Sequence, residues 1–247
     1  MTDTVVKHWT IDQLLTNISK IDTIGNAVSL ARDSYRALGA NRFIYHLTPK
    51  LRSQIDPTIQ LIAEGFSAEL MTLYETADFR ERDPIPETIM HSGVPMRWSE
   101  AIARAKLELP QVEFLEKCKT LGLVDGMGFP LFGPNGRNGY AAFTFKNDDM
   151  LYDKALIAKI AAVTTAGHLR ICKLLDEREQ CHVELSHREN QVLQFMANGL
   201  SNREISHRLD VGSSTTDTYV RRVFSKLGVN ERTSASIRAL ELGILRL

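Results

Sequence analysis

Asp83, Glu87 and His91 stand close together in the 247-residue sequence, and all three side chains can exchange protons. No nucleophile-and-base spacing, phosphate-cradling loop or metal-ligand cluster accompanies them, so the pattern makes no case for an enzyme or for a bound cofactor. Cys118, Cys172 and Cys181 are odd in number and lack a C-x-x-C pair, which predicts buried, inert thiols rather than a disulfide framework or a zinc site. The residues whose spacing does carry chemistry lie between 201 and 227. There Arg221, Arg222 and Lys226 share an outer surface with the small hydroxyl residues Thr216 and Thr218, a combination suited to phosphate oxygens and base edges.

Two helices joined by a tight turn must position that surface. Ser201 and Glu204 have capping-box spacing, and Ile205 and Leu209 form an i, i+4 apolar pair. Gly212 sits in the break, where a residue tolerant of positive φ is expected. Ser214 then opens a second helix with Asp217 at its third position, turning Val220, Val223, Phe224 and Leu227 inward. This is the helix-turn-helix pattern, whose second helix enters the DNA major groove. A helix before it, capped by Ser186 and Glu189, carries Val192, Leu193, Met196 and Ala197 and stops at Gly199. A fourth, over 232–242, turns Ala235, Ala239 and Leu242 to one side.

The length allows two domains, and a 43% hydrophobic share is ample for packed cores. The net charge of zero conceals an asymmetry, because residues 185–247 hold nine Lys or Arg against six Asp or Glu. The positive end coincides with the helix-turn-helix, although an excess of this size supports phosphate contact only weakly. No apolar run approaches the roughly 20 residues of a membrane span. The first residues lack a hydrophobic signal core, so the chain is expected to stay in the cytoplasm without a membrane partner.

Ahead of residue 185, Thr10 and Gln13 frame a first helix bearing Leu14, Leu15 and Ile18, and a second runs over 23–38 with Gly39 as its stop. Residues 42–47 predict a strand, 60–63 another and 67–75 a helix. The segment 78–95 holds Pro84, Pro86, Gly93 and Pro95 and reads as an irregular wrapping loop, followed by Trp98 in a short extended piece. Residues 110–121 form a helix, and 124–132 and 139–145 two strands joined by a Gly-Pro-Asn-Gly hairpin. From 149 to 175 a long helix carries Leu156, Ile160, Val163, Gly167, Ile171 and Leu174, a stripe that serves either as core or as a dimer seam. The polar run 176–184 is the expected linker.

The series Leu185-Ser186-x-Arg188-Glu189, Ala197-x-Gly199-x-Ser201-Asn202-Arg203-Glu204-Ile205, Lys226-Leu227-Gly228-Val229 and Arg232-Thr233-x-Ala235 closely resembles the four-helix DNA-binding domain of the LuxR (GerE-type) transcription regulators. Upstream, Asp83-Pro84, Trp98, Tyr74 and the series Gly122, Gly126, Pro130 and Gly136 resemble the autoinducer-binding domain of quorum-sensing members of that family. The resemblance implies an α+β chain. Residues 1–175 would form an α/β/α sandwich with an antiparallel sheet, 176–184 a linker, and 185–247 an all-α helix-turn-helix domain. It also implies a homodimer that reads a palindromic DNA site. Contacts to DNA would come from Arg203, Ser213, Ser214, Thr216, Asp217, Thr218, Arg221, Arg222 and Lys226. Asp217 departs from the lysine frequent there, and either caps its helix or accepts from a cytosine amino group. Tyr219 stands where the family often has histidine.

In that family an acyl-homoserine lactone lies between the sheet and a helical layer, and the resemblance assigns its binding to Asp83, Trp98 and Tyr74. The aspartate takes the ligand's amide N–H, unless it serves only as a local cap. Counted back without gaps, the family's lactone-binding tryptophan falls on Leu70 and a frequent tyrosine on Phe66. Ile85 replaces a threonine, and Ala142 a serine or threonine on the last strand. A lactone carbonyl would meet apolar surface there, which is unfavourable for a polar group leaving water. A lactone in a shifted pose, a more apolar or aromatic signal molecule, and a ligand-free dimerising module all stay open, with the second preferred. A different sensor domain on the same DNA-binding end is the alternative.

Overall fold

The computed structural model describes residues 10–47, 62–75, 82–178 and 183–245. Cys181 and the stretch 76–81 lie outside them, as does Gln60 of the expected second strand. The chain forms two compact units.

In the first unit, α1 (Ile11–Ser19) and α2 (Ile24–Ala37) precede β1 (Ala40–Leu47) and β2 (Ile62–Glu64). Then come α3 (Ala68–Glu75), α4 (Pro84–Ser92), β3 (Met96–Arg97), α5 (Trp98–Arg104) and α6 (Leu109–Thr120). The strands β4 (Met127–Leu131) and β5 (Gly139–Phe145) and the long helix α7 (Lys154–Arg178) complete it. The sheet is antiparallel throughout, in the order β2-β1-β5-β4-β3.

Strand alternation sorts side chains onto two faces. Phe43, Tyr45, Phe129, Ala141 and Phe143 pack with α1, α2 and α7, whereas Ile44, Tyr140 and Ala142 pack with Leu70, Ile89, Trp98 and Phe114 from the opposite helical layer. Every residue of β5 is buried, as a central strand covered on both faces requires. The α/β/α sandwich is therefore present, and its second layer encloses the pocket described below.

The segment read as a wrapping loop is in large part α4. Pro84 and Pro86 fall in its first turn, where missing N–H groups leave no hydrogen bond unmade, and Asp83 caps it by accepting from the Ile85 N–H at 3.0 Å. Gly93, at φ 71°, ends the helix in the left-handed conformation that glycine adopts without strain. Trp98 heads α5 rather than standing in an extended piece. Of the stripe on α7, Ile160, Val163, Ile171 and Leu174 are buried in the unit's own core, so this side is core and not a dimer seam. Residues 154–177 are long and apolar enough to span a bilayer, contrary to the expectation from the sequence. The pattern reflects this core-facing side. The helix also continues to Arg178, into the stretch expected as linker.

The second unit holds α8 (His187–Ala197), α9 (Asn202–Leu209), α10 (Ser213–Leu227) and α11 (Arg232–Glu241) around Val192, Leu193, Met196, Ile205, Val223 and Ala235. Both capping boxes form as read. The left-handed residue between α9 and α10 is Asp210, at φ 51°, and Gly212, at φ −66°, is the extended N-cap of α10. The second helix therefore begins at Ser213, with Gly212 rather than Ser214 as its cap, two residues earlier than expected, and Asp217 is its fifth residue rather than its third.

Candidate ligand pocket and DNA-reading helix

Asp83, Trp98, Tyr74, Phe66, Leu70, Ile85 and Ala142 all line one cavity of about 720 Å³, its mouth included. The size suits a small organic ligand. Helices α3, α4, α5 and α6 supply its walls and β1 and β5 its floor. Phe114, Leu115 and Ile102 extend the apolar lining.

The polar groups are few and already organised. Asp83 accepts from the Tyr74 hydroxyl at 2.7 Å as well as from the Ile85 N–H, so its carboxylate is both helix cap and pocket wall. Each oxygen keeps lone-pair capacity for a further donor. Burial raises the Asp83 carboxyl to about 6, with the bonds from Tyr74 and Ile85 acting the other way. Burial also pushes the Tyr74 and Tyr140 hydroxyls well above their ordinary range and the Cys118 thiol up to about 12, so these neighbours stay neutral as Asp83 titrates. Lys119, also part of the lining, is paired with Glu116 at 2.7 Å.

Trp98 donates its indole N–H to the Tyr140 hydroxyl at 3.1 Å. That leaves its ring as a flat wall, while Tyr140, 2% exposed, keeps one hydroxyl proton with no acceptor among the described residues. Tyr140 is a polar pocket residue absent from the set that the sequence indicates. It stands two positions before Ala142 on the same strand and so shares its face, a period-2 signal that could have found it. Phe66, Leu70, Ile85 and Ala142 offer no donor at the positions where one was sought.

On α10 the expected DNA-contacting set separates. Ser213, Ser214, Asp217, Arg221 and Arg222 are exposed, Thr218 is half-buried, and Arg203 is exposed on α9. Thr216 is fully buried, and its hydroxyl has no hydrogen-bond partner among the described residues. It lies four and seven residues before Val220 and Val223, on the same inward stripe of α10, so it does not belong to the outer surface. An unpaired buried hydroxyl costs about 1–3 kcal/mol. Thr216→Val is therefore expected to raise the thermal midpoint by a few degrees and leave DNA affinity unchanged, as paired melting and gel-shift measurements would show. Lost DNA affinity in a folded variant would restore Thr216 as a contact.

Lys226 is likewise engaged within the protein. Its ammonium donates to the Glu184 carbonyl at 2.9 Å and to the buried Glu189 carboxylate at 2.7 Å, tying α10 to the start of α8. Burial raises Glu189, but the bonds from Lys226 and Ser186 outweigh it and leave the carboxyl below its ordinary value. Lys226 is nevertheless exposed, so the ion pair holds its side chain on the outer surface of the unit. Asp217 does not cap α10, being too far along it, and instead accepts from the Asn202 side-chain amide at 2.8 Å.

An apolar cavity with a few aimed polar groups in one unit, and a helix-turn-helix with outward arginines in the other, define a ligand-responsive DNA-binding regulator. Residues 25–171 match the family described as "Autoinducer binding domain", and residues 183–239 match "Bacterial regulatory proteins, luxR family". The chain belongs to the LuxR-type quorum-sensing transcription regulators, with an autoinducer-binding and a DNA-binding domain. The putative HTH-type transcriptional regulator y4qH of Sinorhizobium fredii is 30% identical over 66% of this chain and 50% of its own. The chain thus matches half the length of that relative. The quorum sensing-dependent regulator RpaR of Rhodopseudomonas palustris is 27% identical over 75% of each chain. Among solved structures, Escherichia coli SdiA shares the fold at TM-score 0.65, with 17% identity over 96% of this chain and 98% of that one. A structure of SdiA in complex with octanoyl-rac-glycerol gives TM-score 0.66 at 17% identity over the whole of both chains.

Proposed function

We propose that the N-terminal unit senses a small, mainly apolar molecule with one compact hydrogen-bonding head seated between Asp83 and Tyr140. Occupancy of the pocket then governs how a homodimer reads a palindromic DNA site in the cytoplasm. The observation that carries the ligand class is the lining itself. Asp83 offers an acceptor and Tyr140 a proton, while Phe66, Leu70, Ile85 and Ala142 surround them with surface that cannot satisfy a second polar group. A lactone ring carbonyl placed there would lose its water without a replacement donor. The SdiA structure holding octanoyl-rac-glycerol supports a neutral amphiphile without a lactone as occupant. A lactone in a shifted pose is the second reading, favoured by the one proton Tyr140 can give to a carbonyl.

A two-fold dimer on half-sites about one helical turn apart is the geometry that a helix-turn-helix dictates. The contacts would be Arg203, Ser213, Ser214, Asp217, Thr218, Arg221 and Arg222. For the ligand, melting the full chain with octanoyl-rac-glycerol and with a panel of acyl-homoserine lactones at equal micromolar concentration discriminates, because a ligand that prefers the folded state raises the midpoint. A larger rise with the acylglycerol is expected. A rise of several degrees with the lactones alone would replace this reading by the second.

A further inference from the structure

We propose that Asp217 selects a cytosine in the DNA site, with Asn202 as its positioning residue. Asp217 is exposed on α10, one turn in from the helix start, where the second helix of a helix-turn-helix meets base edges. Two side chains from two other helices, one acting through the other, fix its carboxylate. The Asn202 amide at the start of α9 donates to one Asp217 oxygen at 2.8 Å. Arg232 at the start of α11 in turn donates to the Asn202 carbonyl oxygen at 2.7 Å and to the Leu200 backbone carbonyl. Asn202 is thereby oriented with its donor toward Asp217, and the second carboxylate oxygen stays open.

No lysine or arginine among the described residues neutralises this carboxylate. The Arg221 guanidinium lies next to it but contacts the Asp217 main-chain carbonyl at 3.4 Å and the Thr218 hydroxyl at 3.5 Å. A fixed negative charge on a DNA-facing surface repels phosphates, so it is compatible with close docking only where it meets a donor. In the major groove the donors are the cytosine N4 and adenine N6 amino groups. The adenine amino group adjoins the N7 lone pair, which faces and repels the second carboxylate oxygen. The cytosine amino group adjoins a C–H. The carboxylate therefore discriminates for cytosine. This selection rests on the proposed DNA-contacting face of α10 and is independent of the ligand that fills the pocket.

Selection of binding sites from a random double-stranded DNA pool by the full chain tests it, using wild type, Asp217→Asn, Asp217→Ala and Asn202→Ala. Wild type is expected to enrich a C·G pair at one position, with discrimination of roughly tenfold, the lower part of what a good base contact gives. Asp217→Ala should leave that position unspecified and the others unchanged. Asp217→Asn should move the preference to adenine, whose N6 and N7 an amide matches bidentately. Asn202→Ala should weaken the cytosine preference severalfold at an unchanged thermal midpoint. If that variant does not fold, the exposed and isosteric Asp217→Asn decides alone. Identical motifs from wild type and Asp217→Ala would overturn the proposal. So would a wild-type pool without any motif, or an Asp217→Ala protein that binds all sequences uniformly more tightly.

Discussion

Arg221→Ala and Arg222→Ala proteins are expected to melt as wild type does and to lose specific DNA binding, with the double variant showing no shifted band at physiological salt. Both arginines are exposed on α10. Arg222 has no hydrogen-bond or ion-pair partner among the described residues, and the contacts of Arg221, at 3.4 and 3.5 Å, are too long to hold the fold together. Truncation therefore leaves no buried group unpaired. In the complex each guanidinium would supply a guanine or phosphate contact. A base contact is worth about 1–3 kcal/mol, or roughly five- to 150-fold in affinity. A contact to phosphate alone would weaken all sequences equally and lower the salt dependence by about one unit of slope, so titrations at several salt concentrations tell the two apart. Unchanged affinity of both single variants would remove the DNA face from α10.

Asp83→Asn is expected to carry the second large effect, a loss of ligand affinity on the order of ten- to a hundredfold, in line with the roughly 1.5–3 kcal/mol of a hydrogen bond to a charged group. Asparagine keeps an acceptor for the Ile85 N–H, so the α4 cap survives in a way that alanine would not allow. The wild-type pocket should also respond to pH. Asp83 titrates near 6 in the folded protein, above its unfolded value, so in the empty protein its contribution to stability is full below pH about 4 and is lost as pH rises through 6. A ligand donating to the carboxylate favours the ionised form and acts in the opposite direction. Ligand affinity should thus fall about tenfold from pH 7.5 to pH 5 in wild type and stay flat in Asp83→Asn, as calorimetry at the two pH values would read. A pH-independent wild-type affinity would take Asp83 out of ligand contact.

What local chemistry determines was legible in the sequence. The Ser186/Glu189 and Ser201/Glu204 boxes are contained within four residues each, and both form. Where two local rules compete, the sequence is silent about the winner. Pro84 and Pro86 break a helix or start one depending on whether Asp83 caps it, and Asp83 does. The reversal before α10 falls to Asp210 rather than to Gly212, which caps α10 instead, whereas the burial of Thr216 follows from its spacing of four and seven residues to Val220 and Val223. Contacts across long separations have no local signature at all. Lys226 reaches Glu189, 37 residues away, and Asn202 reaches Asp217, 15 away. The seven expected pocket residues, by contrast, follow a family pattern of spacing around Asp83, and all seven line one cavity.

Filling this cavity is expected to change what α10 does with DNA. Gel-shift titration of the full chain on a site enriched from the random pool, with and without octanoyl-rac-glycerol, tests it most directly when pocket occupancy is verified by the accompanying shift in thermal midpoint. The affinity for DNA should change severalfold or more in wild type and stay constant in Asp83→Asn. Identical DNA affinity of the empty and the filled wild-type protein would show that the pocket and the DNA-reading helix are uncoupled.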